Sequence, residues 1–404
     1  MTEQPQPAVS LDPALPCGYR RAPDVQARFE RAAASLLEFD GWDNPATNRR
    51  ELVADLALEG GGVKGIALVG AVLVLSEAGY AIRGVAGTSA GAIAASLIAA
   101  LSAAREPMTR LLECMRTMEF SRFMPEGRLR AFVERHGKVG EFAADGEILL
   151  RQMGLFPGTY LEEWLTPLLA DLGVTTFGDL ALTVDADPGM SLPPGHRYRL
   201  VVHTSDITRQ QLVRLPWDFP IYGHEDIDRE EIVPAVRASM SIPFFFEPVT
   251  FHARAATVSV PDPGGGVVEQ EYEAGDVTWV DGGMLRNFPI GAFDRVDGAP
   301  PRWPTIGIKL SSLQRRFPAT TACRHSFDVA MHCLHTMMNE WDAYAVDASS
   351  AGRTIFVDNA GLTATEFNLS TQQQDTLFRN GVAAATQFVI QMGEARGVPR
   401  KGRS

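Results

Sequence analysis

The chain has 404 residues, of which 45% are hydrophobic and 21% are charged. These proportions are ordinary for a globular protein and exclude a disordered chain. Asp and Glu outnumber Lys and Arg by 49 to 37, so the formal net charge is −12. An acidic chain lacks the basic footprint of a dedicated nucleic-acid binder and has no overall attraction to anionic lipid. We therefore expect no nucleic-acid partner.

The four cysteines are too few and too scattered for a disulfide framework, and none forms a Cys-x-x-Cys pair that would favour a zinc site. They are Cys17, Cys114, Cys323 and Cys333. The first residues, Met1–Pro16, are polar and rich in proline, and they lack the apolar core of a secretory signal. These features predict a cytoplasmic protein.

Residues 1–50 predict an N-terminal extension with one amphipathic helix, around Val25–Phe39. The main domain follows over residues 51–393, and residues 394–404 form a basic tail. The main domain begins with short apolar strands that alternate with helices. Strands are predicted at Leu52–Leu58 and Ala81–Ala86, and helices at Ile66–Ala78 and Ala90–Ala104.

This alternating order predicts an α/β fold with a mostly parallel central sheet and helices on both faces. The stretch between Arg83 and Arg105 carries no charge and is long enough to span a bilayer. Its abundance of Ala and Gly favours a buried strand, a turn and a buried helix instead.

The rest of the main domain contains a helical segment, an insertion and further strands. Residues 105–182 are helical in pattern and rich in Met, Phe and Arg. Residues 251–279 predict an inserted hairpin, because Val258–Val260 and Val267–Tyr272 flank a turn rich in Pro and Gly. The other predicted strands are Arg199–Ser205, Gln211–Leu215, Val277–Val280, Thr305–Leu310 and Thr354–Val357, and the other predicted helices are Val233–Ser241, His325–Ala345 and Gln372–Gly393.

A glycine-rich segment, Gly60-Gly61-Gly62-Val63-Lys64-Gly65, joins the first of these strands to the helix that follows it. The backbone N–H groups of such a loop, at a helix N-terminus, can approach a negatively charged atom closely. Taken alone, the segment fits a dinucleotide fingerprint, an oxyanion hole or a tight structural turn. The fingerprint lacks its acidic residue roughly 20 positions later, and Gly65 stands where a P-loop needs Ser or Thr.

The segment Gly87-Thr88-Ser89-Ala90-Gly91 also lies between a predicted strand and a predicted helix. It has the G-x-S-x-G pattern of a nucleophile elbow, in which glycines permit a sharp turn that exposes the Ser hydroxyl at a helix N-terminus. A serine packed in a turn of small residues would show the same pattern. Ser89 is therefore a candidate nucleophile, supported by Gly87 and Gly91.

A serine nucleophile needs a base. The downstream histidines His325, His332 and His335 fall in one predicted helix, not on the loop where a triad histidine lies. Together with Cys333 they offer a metal site, but a solvated or partly buried helix face is the simpler interpretation. Asp281-Gly282-Gly283 offers a carboxylate at a strand end, although Asp-Gly also marks ordinary turns. We expect neither a metal nor a cofactor.

Taken together, the three segments resemble the patatin-like phospholipase family. That family has a glycine-rich oxyanion loop, then a G-x-S-x-G elbow, then a D-G-[GA] segment far downstream. Here they stand in the same order as EGGGVKG, GTSAG and DGG. The stretches Ala238–Pro243 and Asp281–Pro289 are also similar to the family, and the likeness covers roughly Leu52–Phe388.

The resemblance implies a three-layer α/β architecture and a lipid acyl hydrolase of phospholipase A, lipase or esterase type. It also implies a Ser–Asp dyad, with Ser89 as nucleophile and Asp281 as base, acting on phospholipid or another lipid ester. The residues implied to form the oxyanion hole are Gly60, Gly61, Gly62 and Val63. The supporting glycines are Gly65, Gly87, Gly91, Gly282 and Gly283. Glu59 departs from the Asp that family members often carry. We expect little effect, because it is backbone amides that form the implied oxyanion hole.

The segment Arg105–Lys138 carries eight basic residues against five acidic ones, a local charge of +3. It is a candidate lid or rim for an acyl channel, with transient contact to a membrane surface, although a plain helical subdomain fits equally. A locally basic segment of this kind extends the expected location from cytoplasmic to peripheral at membranes. Its candidate rim hydrophobes are Met108, Leu111, Leu112, Met115, Met118, Phe120, Phe123, Met124 and Phe132.

Two competing functions stay open. A nucleotide-dependent oxidoreductase would use the GGGVKG loop for its cofactor, and a catalytically silent module would only bind lipid. The insertion at 251–279 either shapes the entrance to the site or is a neutral surface feature, and we favour the second interpretation.

Overall fold

The fold is given by a computed structural model of the chain. It describes residues 8–44, 48–123, 154–182, 198–261, 266–295, 299–301, 303–310, 323, 329, 332–334, 336–337, 348–362 and 369–396. Most of the predicted helix His325–Ala345 lies outside the described residues. So do Met124 and Phe132 of the candidate rim, and the tail beyond Arg396.

Strands and helices alternate through much of the described chain. The strands are β1 (Val9–Leu11), β2 (Tyr19–Arg21), β3 (Trp42–Asn44), β4 (Arg49–Leu58), β5 (Tyr80–Thr88), β6 (Gly154–Phe156), β7 (Leu200–Asp206), β8 (Gln211–Leu215), β9 (Phe244–Phe246), β10 (Val249–Ala253), β11 (Ala256–Pro261), β12 (Val267–Tyr272), β13 (Gly275–Asp281), β14 (Thr305–Lys309) and β15 (Thr354–Phe356). The helices are α1 (Pro23–Asp40), α2 (Gly65–Glu77), α3 (Ala90–Ala104), α4 (Arg110–Arg116), α5 (Thr159–Asp171), α6 (Ile232–Ser239), α7 (Gly283–Arg286), α8 (Ala348–Ala351) and α9 (Thr371–Arg396).

The central sheet is built around five parallel strands, in the order β7, β5, β4, β14 and β15. Strands β13, β10, β8 and β3 add to it in antiparallel pairings. The prediction of an α/β fold with a mostly parallel central sheet is therefore confirmed. Helices α2 and α3 link successive parallel strands in one direction across the sheet, so right-handed connections place both on the same face.

Strand β4 shows why a central strand of this sheet is an unbroken apolar run in the sequence. Its last seven residues are all buried, because both faces of the strand are covered. Leu56 and Leu58 belong to the main core, whereas Ala57 packs with Phe288 and Ile290 in a separate small cluster. Alternation along the strand thus puts those two groups on opposite faces of the sheet.

Strand β7 determines where two other strands end. Along one edge, its residues 202–206 pair with β8. On the opposite edge, Thr88 at the end of β5 pairs with His203, and Asp281 at the end of β13 pairs with Thr204. Because β5 is parallel and β13 antiparallel to β7, their carboxyl ends meet at consecutive residues of the same edge.

The N-terminal residues pack into the main core. Helix α1 buries Phe29, Ala32 and Leu36, which belong to the same core cluster as the strands of the central sheet. Helix α9 packs along both α1 and α2. The last helix of the described chain therefore covers the helix that follows the glycine-rich loop and also contacts the first helix.

Two features of the predicted helical segment and insertion now have defined structures. Gly154–Phe156 forms a strand, β6, within the segment expected to be helical, and it pairs with β9. The residues after it, Pro157 and Gly158, separate it from α5. In the insertion, β11 and β12 form an antiparallel hairpin between two neighbouring strands of the central sheet, β10 and β13. Across the described ranges, no helix is both long and apolar enough to cross a membrane.

Candidate active site

Ser89 occupies the turn between β5 and α3 with φ +53° and ψ −123°, a conformation that residues other than glycine rarely adopt. The turn requires small neighbours. A Cβ on Gly87 would collide with the backbone of Gly91, and a Cβ on Gly91 would collide with the carbonyl of Leu58. The structure therefore explains why a glycine stands on each side of the predicted nucleophile elbow. Backbone strain of this kind is concentrated at functional residues.

Asp281 ends β13 and is completely buried. Its N–H donates to the carbonyl of Ser241 (2.9 Å), and its Oδ1 accepts a hydrogen bond from the N–H of Gly283 (2.7 Å). Its second oxygen, Oδ2, has no hydrogen-bond partner among the described residues. Gly282 lies so close to the carbonyl of His203 that a Cβ there would collide with it. The Asp-Gly-Gly turn thus packs directly on strand β7.

The electrostatic environment of Asp281 differs from that of an exposed carboxylate. Burial raises the pKa of Asp281 to about 7, while the N–H of Gly283 and the hydroxyl of Ser89 both lower it and offset part of the rise. The Ser89 hydroxyl is near enough to this carboxyl to affect its pKa, but no hydrogen bond of ordinary geometry joins it to Oδ2. A carboxylate with a pKa near neutrality is a stronger base than an exposed Asp and is still ionised in part at pH 7.

Asn287 holds the glycine-rich loop through hydrogen bonds to both the N–H and the carbonyl of Gly60. The N–H of Gly60 donates to the carbonyl of Asn287 (3.0 Å), and Asn287 Nδ2 donates to the carbonyl of Gly60 (3.2 Å). The amide of Gly60 is therefore already engaged, which corrects the expectation that it is available to an oxyanion. Asn287 is not among the site residues predicted from the sequence, although it lies in the family-like stretch Asp281–Pro289.

The other predicted amides lie beside Ser89. Gly62 has φ +56° and begins a short 3-10 helix, Gly62–Lys64, that leads into α2. The first N–H groups of a helix have no intrahelical acceptor. Gly62 and Val63 also line the same pocket as Ser89. The N–H groups of Gly61, Gly62 and Val63 are thus the remaining candidates for an oxyanion hole.

A buried ion pair anchors the start of this loop. The carboxylate of Glu59 accepts hydrogen bonds from the ammonium of Lys309 and from the N–H of Leu310, both at the end of β14. All three residues are buried. Glu59 thus ties the start of the loop to the neighbouring strand.

An apolar pocket of about 460 Å³, its open mouth included, has Ser89 in its wall. Among the described residues that line it there is no charged side chain, as suits a fatty acyl chain. Of the candidate rim hydrophobes, Leu111 and Leu112 belong to the core and do not line the pocket. The lining residues are Gly62, Val63, Gly65, Ser89, Ala90, Ile93, Met115, Met118, Phe120, Phe123, Met240, Ile242 and Phe246.

Ser239 is a second residue that the sequence analysis did not single out, although it lies in the family-like stretch Ala238–Pro243. It ends α6, is completely buried, and contacts the elbow through its hydroxyl. The N–H of Ser89 donates to Ser239 Oγ (2.9 Å), and Ser239 Oγ donates to the carbonyl of His203 (2.6 Å). Only these spatial contacts distinguish Ser239 from any other buried serine.

The structure describes only one of the three candidate histidines. His332 is helical, whereas His325 and His335 lie outside the described residues. His203 is buried close by, where burial lowers its pKa to about 3, and its ring nitrogens bond to nothing in the part of the chain that is described. No group of three His, Cys, Asp or Glu side chains in that part could hold a metal ion.

Comparison with known proteins places this geometry in a family. Residues 56–294 match the family model described as patatin-like phospholipase, a range that contains the glycine-rich loop, Ser89 and Asp281. The chain is 30% identical over 337 residues to the uncharacterized protein YqhO of Bacillus subtilis, covering 83% of this chain and 98% of YqhO.

Two solved structures are similar at lower identity. VipD from Legionella pneumophila matches with a TM-score of 0.41 and 15% identity, over 87% of this chain and 70% of VipD. ExoU, in the ExoU–SpcU complex from the type III secretion system of Pseudomonas aeruginosa, matches with a TM-score of 0.38 and 16% identity. That match covers 85% of this chain and only 53% of the ExoU chain, about half its length. The family model and the match to YqhO, which extends over most of both chains, lead to one conclusion: the chain belongs to the patatin-like phospholipase family.

Proposed function

We propose that the protein is a lipid acyl hydrolase that cleaves carboxylic esters through an acyl-enzyme on Ser89, with Asp281 as the general base. Membership of the patatin-like phospholipase family supports lipid hydrolysis in general terms. One observation carries the specific proposal. Ser89, strained into an elbow, follows a strand end that lies beside the buried carboxyl of Asp281, whose pKa is raised, and it also forms part of the wall of an apolar pocket.

The first half of the reaction forms the acyl-enzyme. Asp281 accepts the hydroxyl proton of Ser89 while Oγ attacks the ester carbonyl carbon. The carbonyl oxygen becomes negatively charged and accepts hydrogen bonds from N–H groups of Gly61, Gly62 and Val63. When this intermediate collapses, the bond to the leaving oxygen breaks and Asp281 returns the proton to the leaving alcohol. The acyl group stays on Ser89.

The second half releases the fatty acid. Asp281 takes a proton from water as the water oxygen attacks the acyl carbon, and the same N–H groups stabilise the new oxyanion. The bond to Ser89 then breaks, and Ser89 recovers its proton from Asp281. Each oxyanion donor in such a site contributes about 3–4 kcal/mol to stabilisation of the transition state.

The substrate class follows from the pocket, whose apolar lining fits the acyl chain of a phospholipid or another lipid ester. We also propose transient, peripheral contact with a lipid surface. Within the described residues, Arg110 pairs with Glu106 and Asp171, so part of the basic charge of this segment is neutralised locally. The apolar mouth of the pocket is therefore a stronger support for lipid contact than net charge is.

The proposed activity is tested by incubating the protein with a mixed lipid panel and identifying the products by mass spectrometry. We expect free fatty acid from the wild type and none from Ser89→Ala. A fluorophosphonate probe should label the wild type and fail to label the variant.

Each competing function has its own readout in the same preparation. A lipid-binding module without activity would bind the panel but show neither products nor labelling. A nucleotide-dependent oxidoreductase would carry a nicotinamide or flavin, visible in its absorbance spectrum. Either result would replace the hydrolase proposal.

A further inference from the structure

We propose that the hydroxyl of Ser239 is a positioning group that keeps Ser89 out of the sheet and in its elbow conformation. The inference rests on the proposed role of Ser89 as nucleophile. Ser239 does not line the pocket, so it acts on the reaction only through the backbone of Ser89.

The ladder between β5 and β7 shows what the hydroxyl replaces. In this parallel pair, the N–H of Val85 donates to the carbonyl of Arg199. A parallel ladder advances two residues at a time on each strand. The bond after next in this series would join the N–H of Ser89 directly to the carbonyl of His203. The structure instead has Ser239 Oγ inserted between these two groups, accepting from Ser89 and donating to His203.

This insertion solves a specific problem of the elbow. Ser89 must leave the plane of the sheet to reach a positive φ, and in doing so its N–H loses its partner in the ladder. A buried N–H without an acceptor is costly, and so is a buried carbonyl without a donor. One hydroxyl satisfies both groups at once, because it both accepts and donates. It also keeps the N–H of Ser89 and the carbonyl of His203 apart by the width of one side-chain oxygen.

The turn that carries Ser239 is well fixed in the molecule. Two residues later, the carbonyl of Ser241 accepts the N–H of Asp281, so the same turn contacts the backbone of the proposed base. The residues between and after the two serines, Met240 and Ile242, line the pocket. Arg237 holds the turn by donating to the Ser241 hydroxyl and to the carbonyl of Glu247. The end of α6 therefore relates the nucleophile, the base and the pocket wall to one another.

Removing the hydroxyl should misplace Ser89 without altering the pocket. In Ser239→Ala, the N–H of Ser89 and the carbonyl of His203 can recover a partner only by closing on each other, which draws Ser89 towards the strand. A displacement of about 1 Å at a reacting atom can cost on the order of 100-fold in rate. We expect kcat on an ester substrate to fall roughly 10- to 100-fold. KM should change by less than about threefold, since the pocket keeps its lining.

The experiment compares wild type, Ser239→Ala, Ser239→Cys and Ser96→Ala. The cysteine keeps the space of the hydroxyl filled, with a somewhat larger atom that hydrogen-bonds poorly, whereas the alanine empties it, so an effect common to both variants is assigned to the lost hydrogen bonds. Ser96 is the matched control, because its buried hydroxyl donates within α3 to the carbonyl of Ile93, away from the elbow. Each variant is measured for thermal unfolding, for kcat and KM on one ester, and for the rate of fluorophosphonate labelling.

The expected result is slow turnover and slow labelling in both Ser239 variants, with KM nearly unchanged, and wild-type kinetics in Ser96→Ala. If Ser239→Ala does not fold, Ser239→Cys decides the question alone. An active wild type with an equally active, folded Ser239 variant would overturn this inference and leave the proposed function intact. An inactive, unlabelled wild type would overturn the proposed function and this inference with it.

Discussion

At the scale of single residues, Asp281 shows how burial makes a weak acid useful. An exposed Asp, with a pKa near 3.9, is too weak a base to take a proton from serine efficiently. Complete burial raises the pKa of Asp281 to about 7, and the hydrogen bond from the N–H of Gly283 keeps this pKa from rising further. Because that bond leaves Oδ2 without a partner in the described structure, the second oxygen remains available to the Ser89 proton.

The first prediction concerns pH. If ionised Asp281 is the base, kcat/KM should rise about tenfold per pH unit below pH 7 and become constant above it, because only the carboxylate can accept the proton. The profile is measured with a soluble ester between pH 5 and 9. Asp281→Asn should lose nearly all activity throughout that range. A flat profile, or near-wild-type turnover in Asp281→Asn, would show that another group is the base.

The second prediction concerns stability at the same residue. The folded pKa of Asp281 lies above the unfolded value, so the folded state binds the proton more tightly. The stability that this proton contributes is complete below about pH 4 and is lost as pH rises towards 7. At pH 8 we expect the free energy of unfolding of Asp281→Asn, measured by urea denaturation, to exceed that of the wild type by on the order of 1–3 kcal/mol. The difference in unfolding free energy should shrink towards pH 4. An equal difference at pH 4 and pH 8 would contradict the prediction.

At the scale of elements, the segment around α4 divides its apolar side chains between two tasks. All five belong to the buried core, but only Met115, Met118 and Phe123 also line the pocket, whereas Leu111 and Leu112 do not. The sequence cannot separate these groups, because both show the same helical spacing of Met, Leu and Phe. The direction of each side chain is fixed only when α4 packs against α2 and α3.

The third prediction uses this division. Met118→Ala removes a side chain from the pocket wall, so a long acyl chain loses contacts that a short one never makes. We expect the ratio of kcat/KM for a long-chain ester to that for an acetyl ester to fall by about 3- to 10-fold. Leu112→Ala is the control, since it removes a core side chain near the same helix and should leave this ratio unchanged. Equal losses on both esters in Met118→Ala would remove the pocket assignment.

At the scale of the whole molecule, the hairpin of β11 and β12 stands apart from the site. Val267 and Val268 of β12 are 69% and 48% exposed, and none of the described hairpin residues lines the pocket. It is inserted between β10 and β13, where Ala253 and Gly275 lie opposite each other. This arrangement favours a neutral insertion over one that shapes the entrance.

The fourth prediction follows from that register. Residues 254–274 should be replaceable by a two-residue Asn-Gly turn, because this turn closes strands whose last residues lie opposite each other. The variant loses the contact of Arg209 with the carbonyl of Glu273, so a fall of a few degrees in Tm is expected. Ester hydrolysis should stay within about twofold of the wild type. A large loss of activity in a folded variant would assign the hairpin to the entrance.

The sequence by itself determined the strand–turn–helix units that carry the motifs. Local apolar patterning and glycine spacing were enough to predict β4, β5, α2 and α3 near their observed bounds. Those same local rules place Ser89 at a helix N-terminus and Asp281 at a strand end. They could not show that the amide of Gly60 is already bonded to Asn287, because that contact joins segments far apart in the chain.

Only the tertiary structure decided how the carboxyl ends of β5 and β13 come together. Ser89 and Asp281 are adjacent because β5 and β13 end head to head on one edge of β7, a consequence of their opposite directions in the sheet. Ser239 contacts the elbow at this junction and Asn287 contacts the glycine-rich loop, both across long sequence separations. Such hydrogen bonds leave no periodicity in the sequence. The sequence therefore determines which groups are present, and packing determines which of them meet.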